Sequence, residues 1–210
     1  MTKLLDQEYR FLHKSLNGWS RLLLLLAAVT VAAAVFFPLW KLHLVAPQYA
    51  DGLDMVIYTY KLEGGGLNGN DLDEINLLNH YIGMKPIHQA DFTEMQVLPF
   101  MFGVFFLLAL RAAVFGEMKA VVDLFMLAAY FGMFSIGTFY FRLYSYGHNL
   151  DSTAPMPTQP FTPLIFGTQK IANFTQSSYP EMGTYLLWAF MAMLLAAIWF
   201  SRKGRALPTP

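Results

Sequence analysis

The sequence predicts an all-α membrane protein with four transmembrane helices, both termini cytoplasmic, and a small α+β periplasmic lobe formed by two outward loops. Three observations carry that prediction. Of the 210 residues, 56% are hydrophobic and only 13% charged, about half of the roughly 25% charge found in an average soluble domain. Four stretches approach the about 20 apolar residues that a helix needs where lipid offers the backbone no partner. The basic residues also divide unevenly between the two sets of connections.

Residues 1–21 read as a cytoplasmic tail carrying Lys3, Arg10, Lys14 and Arg21. The first span, 22–40, is uncharged between Arg21 and Lys41. No small-residue cleavage site follows Trp40, so it reads as an uncleaved helix and not as a signal peptide. The second span, 97–115, is apolar except for Arg111, and the third, 120–141, except for Asp123. The fourth, 182–200, stops at Ser201-Arg202-Lys203 and leads into a tail at 201–210.

The tails and the turn between the second and third spans, with Arg111 and Asp123 at its edges, hold nine basic and four acidic residues. The loops 41–96 and 142–181 hold five basic and ten acidic residues. Positive charge stays on the cytoplasmic side, so both loops face outward, into the periplasm of a Gram-negative inner membrane. Arg111 and Asp123 flank a tight turn around Gly116, where charges at membrane depth either pair or reach the interface. They read as a clamp pairing the two helices or, alternatively, as part of a proton relay, although no second ionisable residue lies deeper in any span.

In the first outward loop, Leu53 to Leu62 is rich in β-branched and aromatic residues and reads as a strand. Gly64-Gly65-Gly66 and Asn68-Gly69-Asn70 mark a turn. Asn70 or Asp71 then caps a short helix with Asp73 and Glu74 in its first turn. Leu72, Ile75, Asn79 and Ile82 share one face of that helix, and Gly83 ends it in a left-handed conformation. Asn76, His80 and Met84 fall at i, i+4 and i+8, and His88 follows shortly after.

Thioether and imidazole together suit Cu(I), so His80, Met84 and His88 are candidate ligands, with His148 and Met156 contributing from the second loop. Each has an equally simple reading as a structural histidine or a gap-filling methionine. His43, close behind Trp40 at the membrane boundary, reads as structural. The second loop carries Pro155, Pro157, Pro160 and Pro163, which favour an extended backbone suited to draping over the chain's own lobe or over a partner.

The balanced charge, 14 basic against 14 acidic residues, leaves no field for nucleic acid. The absence of cysteine removes thiolate metal sites, iron–sulfur clusters and cysteine nucleophiles. No histidine lies within a span to ligate haem, and no phosphate loop, nucleophile elbow or dinucleotide fingerprint occurs. An enzyme is not expected.

Trp40, Ala46-Pro47-Gln48-Tyr49, Gly52-Leu53, Leu78 to Met84, Gly147 to Asp151, Pro160-Phe161-Thr162-Pro163 and Ala172-Asn173-Phe174 together carry a resemblance. In these residues the chain resembles small bacterial membrane proteins associated with gene neighbourhoods for nitrous oxide reductase and its copper-site maturation. The resemblance implies a periplasm-facing accessory protein close to copper or respiratory machinery; it brings no catalytic motif. The function expected is therefore inner-membrane support of periplasmic copper-site assembly, through Cu(I) coordination or docking of a copper protein. The alternative is a non-catalytic structural subunit of a larger respiratory or transport complex. Lipid and other membrane or periplasmic subunits are the expected partners.

Overall fold

The computed structural model describes residues 9–66, 68–171 and 173–203. The tail charges within 1–8 and 204–210, and Ala172, lie outside the described residues. The chain divides into two compact units. One comprises Met1–Ala34, Phe100–Met133 and Tyr185–Pro210, and the other Val35–Pro99 and Phe134–Thr184.

The all-α expectation with four spans is overturned. Five strands, β1 (Trp40–Ala46), β2 (Tyr49–Ile57), β3 (Leu62–Gly64), β4 (Gly167–Ile171) and β5 (Phe174–Pro180), form one antiparallel sheet in the order β3-β2-β1-β5-β4. The longer helices among the described residues are α1 (Gly18–Ala34), α2 (Asp71–Tyr81), α3 (Glu94–Phe115), α4 (Met118–His148) and α5 (Met182–Ser201). Three of them, α3, α4 and α5, are long and apolar enough to cross a membrane.

Helix α1 has 17 residues, about 26 Å at 1.5 Å per residue, against a hydrocarbon core of about 30 Å. The apolar stretch 22–40 in fact joins two structures. The helix ends at Ala34, Pro38 follows, and the chain enters β1 at Trp40. From Trp40 to Ala46 burial alternates residue by residue, the period of a half-buried strand, which hydropathy alone does not register.

In the helical unit, α1 buries Ser20, Leu24, Ala27, Ala28, Val31 and Ala34, one stripe at helical spacing. Phe105 packs edge-on against Phe131 at 5.6 Å and stacks with Phe190 at 6.2 Å. At one end the Asn17 side chain caps α1 by accepting the Ser20 amide at 2.7 Å. Ser201 Oγ accepts the Asn17 amide at 3.0 Å and donates to Ser20 Oγ at 2.8 Å, while Ser20 Oγ donates to Ala197 C=O at 2.8 Å. Buried hydroxyls are thereby satisfied where unpaired ones would be costly.

Gly116, at φ +71°, turns α3 into α4. Arg21 spans this turn, donating to Val114 C=O at 3.3 Å, and a Cβ on Gly116 would stand 2.1 Å from Arg21 Nη2. Arg111 and Asp123 form no ion pair among the described residues. Arg111 lies 5.7 Å from the Phe115 ring instead, so the clamp expected of that pair does not form, and Arg21 of α1 holds the end of α3.

In the sheet unit, Leu42, Leu44, Leu53, Met55, Ile171 and Phe174 point to one face and pack with Ile75, Leu78 and Ile82 of α2. Each such side chain contributes roughly 1.5–3 kcal/mol on burial. The strand expected over 53–62 is two strands, β2 starting earlier and β3 beginning at Leu62. Helix α4 runs seven residues beyond the expected 141, and there Arg142, Leu143 and Tyr146 line a cavity beneath the sheet. The rest of the second loop contains a hairpin, β4–β5, whose residues are too polar to stand out as strands.

Helix α2 has Asp71, Asp73 and Glu74 in its first turn and Gly83 at φ +80° past its end, as its sequence predicts. The expected cap is not made: Asn70 precedes the helix with no side-chain capping bond, and Asp71 Oδ2 accepts the Asp54 amide at 2.8 Å instead. Gly83 N–H donates to His80 C=O at 3.2 Å and Met84 N–H to Asn79 C=O at 2.8 Å, the two bonds of a Schellman cap.

Candidate functional site

That cap decides the fate of the His/Met set. The helix stops at Tyr81, so Met84 cannot continue the face begun by Asn76 and His80. Met84 packs partly buried against the core, the hydrophobic contact that accompanies such a cap. Asn76 is also engaged: its Nδ2 donates to Ile87 C=O at 3.1 Å and its Oδ1 accepts Ile87 N–H at 2.7 Å. His88 is exposed in extended backbone just beyond that clamp and makes no hydrogen bond or ring contact with His80 or Met156 among the described residues.

The second loop returns to the end of α2. Asp151 N–H donates to Gly83 C=O at 2.8 Å, and Met156 N–H to Tyr81 C=O at 2.9 Å. Exposed His80 and Met156 thus come to one edge from opposite ends of the sequence. Asp151 joins them. Hydrogen bonds from the Thr153 hydroxyl and amide, at 2.7 and 2.8 Å, hold its carboxyl below the usual range, with nearby His80 adding a smaller effect in the same direction. His148, just ahead of this segment, stacks on Tyr144 at 3.8 Å. Its Nδ1 donates to Tyr144 C=O at 3.0 Å, which leaves Nε2 as the nitrogen with a free lone pair.

A second cluster lies on the opposite face of the sheet. His43 pairs across to Asp54 on β2 and to Ser177 on β5. His43 Nδ1 meets Asp54 Oδ1 at 2.7 Å, and Lys41 Nζ meets Asp54 Oδ2 at 3.0 Å. The imidazole occupies the notch left by Gly52, where an added Cβ would stand 2.2 Å from Cε1 and 2.6 Å from Nε2. The ring therefore leans toward β2 and away from Ser177, whose hydroxyl bonds to Thr168 at 2.9 Å. Asp54, His43 and Ser177 do not constitute a nucleophilic triad, because that chemistry requires Nε2 at the serine.

Burial works against the Asp54 carboxylate, but hydrogen bonds from His43 and Lys41 outweigh it and leave the pKa below the ordinary 3.8. A depressed carboxylate stabilises the fold above its unfolded pKa, and that stability is lost as pH falls through the folded pKa. Unfolding midpoints of the native chain and Asp54→Asn should therefore differ most at neutral pH and converge in acid below 3.8. A gap that persists unchanged into acid would contradict this.

Beneath the sheet lies a cavity of about 80 Å³, bounded by Met55, Ile82, Met84, Phe161 and the Arg142 side chain. Beside it Asn79 Nδ2 and Arg142 Nε are buried without a partner among the described residues. Among the described residues, no group of three or more histidine, aspartate or glutamate side chains could hold a metal ion. The His43–Asp54 pair was missed in the sequence because eleven residues and a turn separate partners that only strand register brings together. Comparison with protein-family models, curated proteins and solved structures finds no match.

Proposed function

We propose that this chain is a bacterial inner-membrane accessory protein whose sheet-bearing unit faces the periplasm and supports copper-site assembly. The proposal extends to nitrous oxide reductase as the enzyme served, on the strength of the resemblance in sequence. The observation that carries it is the pair of backbone bonds joining residues 151 and 156 to Gly83 and Tyr81. They bring the backbone of Met156 to the residue beside His80, at an edge where both side chains are exposed, which supports a donor set completed by His148. His80, His148 and Met156 are the Cu(I) donors in this reading, while Met84 serves the core and His88 stands apart. The sidedness rests on the excess of lysine and arginine in the opposite connections. Exposure suits hand-off, since ligands on an open edge exchange readily with those of a docked copper protein.

The test is a Cu(I) competition titration on protein purified in mild detergent. His80→Ala with Met156→Ala should weaken binding at least tenfold, whereas Met84→Ala should lower stability and leave affinity unchanged. Binding should also weaken in acid, because a protonated imidazole has no lone pair for the metal. Equal affinity in the double variant would end the assignment. A structural subunit is the second reading, favoured by the polar sheet face bearing Lys41, His43 and Ser177. It predicts a fixed stoichiometry with larger membrane subunits and no bound copper in the same preparation.

A further inference from the structure

Helix α4 carries a second concavity, an open groove of about 420 Å³, within the size range of small-molecule sites. Its wall is graded along the helix. Phe134, Gly137, Phe141 and Thr138, whose hydroxyl turns back to Ser135 C=O at 2.9 Å, form the end nearer the middle of α4, and Arg142, Ser145, Tyr146 and Glu94 of α3 form the end nearer His148. Phe134 and Phe141 are among the most exposed apolar side chains of the chain, at 67% and 72%. From residue 134 to residue 145 the groove covers about 17 Å at 1.5 Å per residue, close to half of a hydrocarbon core of about 30 Å. Both α3 and α4 are long and apolar enough to cross a membrane. Apolar wall toward mid-span, polar wall toward the helix end and a length of one leaflet are the dimensions of a bilayer lipid.

The polar end also specifies a headgroup. Arg142 Nη2 donates to both carboxylate oxygens of Glu94 at 2.7 Å, and its Cζ lies 4.6 Å from the Phe92 ring centroid, which fixes the guanidinium plane. The pair is partly open, with side chains 22% and 31% exposed. Nη1 makes no hydrogen bond within the described chain, so its N–H groups can donate to an outside acceptor. Together the two side chains are neutral and present opposite charges side by side. A simple anion gains from Arg142 and is repelled by Glu94. A headgroup carrying both a phosphate and a primary ammonium complements both.

The geometry points to a built lipid site in which this groove holds one aminophospholipid such as phosphatidylethanolamine. The phosphate lies at Arg142, the ammonium at Glu94 and Ser145, and an acyl chain along Phe134, Gly137 and Phe141. This site is independent of the copper-binding edge.

Native mass spectrometry of the full chain, delipidated and titrated in mild detergent with single lipids, tests it. Phosphatidylethanolamine should be retained at one per chain, at least tenfold tighter than phosphatidylglycerol and tighter than phosphatidylcholine, whose quaternary ammonium has no N–H. Gly137→Phe projects a ring into the groove from a position where a Cβ meets no atom within 4 Å, and should abolish retention. Glu94→Gln leaves Arg142 uncompensated and should shift the preference to phosphatidylglycerol. Equal binding of the two lipids by the native chain would overturn the proposal. So would retention undiminished by Gly137→Phe, or an unaltered preference in Glu94→Gln. A photoreactive group at Phe141 that crosslinks a protein and not lipid would also overturn it, marking the groove as a subunit contact.

Discussion

Gly147→Ala is expected to destabilise the sheet unit by about 2–3 kcal/mol, in the opposite direction to helix propensity. Exchanging glycine for alanine inside a helix ordinarily stabilises by about 1 kcal/mol. Gly147 is buried one residue before the end of α4, and there a Cβ would stand 1.9 Å from Phe161 O and 3.1 Å from Pro163 Cδ. The obstacle is backbone, so no rotamer change relieves it. Phe161 N–H also donates to Gly147 C=O at 3.0 Å, and separating the two segments of chain removes that bond as well. Phe161 would then leave the cavity wall it lines, forfeiting roughly 1.5–3 kcal/mol of apolar burial.

Thermal unfolding in detergent should show the loss, with chymotryptic cleavage at Phe161 appearing at lower enzyme concentration. Gly132→Ala is the matched control, because a Cβ at Gly132 meets nothing within 4 Å, and it should be neutral or stabilising. If both variants are stabilised alike, the proline-rich segment does not lie against α4. The same experiment bears on function: residues 151–163 carry Met156 to His80, so loosening the segment should weaken Cu(I) binding without altering any proposed ligand.

Helices whose apolar pattern is confined to one element are legible in the sequence. The spans expected at 97–115 and 182–200 are α3 and α5 with ends shifted by at most three residues, and α2 follows from its acidic first turn and terminal glycine. The failures arise where one hydropathy window covers two kinds of structure. Residues 22–40 satisfy a window for a span, yet the alternation of Trp40, Leu42 and Leu44 with Lys41 and His43 already has the period of a strand. Strands β4 and β5 are harder to see because Thr168, Gln169, Gln176 and Ser177 provide little apolar contrast. Strand β5 enters the sheet by pairing with β1, more than a hundred positions away, and β4 enters it only through β5.

The candidate site divides in the same way. Local spacing put His80 on a short helix, but extending that face to Met84 assumed a further turn that the Gly83 cap terminates. Met156 comes to Tyr81, the residue after His80, only because two backbone bonds close a loop of some seventy residues. The His43–Asp54 and Glu94–Arg142 pairs depend on strand register and on the extension of α4, neither of which residue types alone specify.

Ile82→Ala should have an effect at least as large, about 4 kcal/mol, because the surrounding structure cannot close over the space it leaves. Ile82 is 1% exposed, belongs to the core between α2 and the sheet, and borders the 80 Å³ cavity. Removing three carbon atoms forfeits about 2.4 kcal/mol of transfer free energy at ~0.8 kcal/mol per methylene. The remainder is a cavity contribution, roughly 24 cal/mol for each Å³ left unfilled. Relaxation is the usual way that contribution shrinks, and at Ile82 it is opposed on both sides. The carbonyls of Tyr81 and Gly83, immediately before and after Ile82, accept the amides of Met156 and Asp151, so backbone movement toward the void would break the bonds that hold the second loop. Denaturant titration of Ile82→Ala should show the full loss, and Ile82→Val about 1 kcal/mol. A cost below 1 kcal/mol for alanine would mean that the end of α2 is free to collapse onto the sheet, and the edge that joins His80 to Met156 would then have no rigid support beneath it.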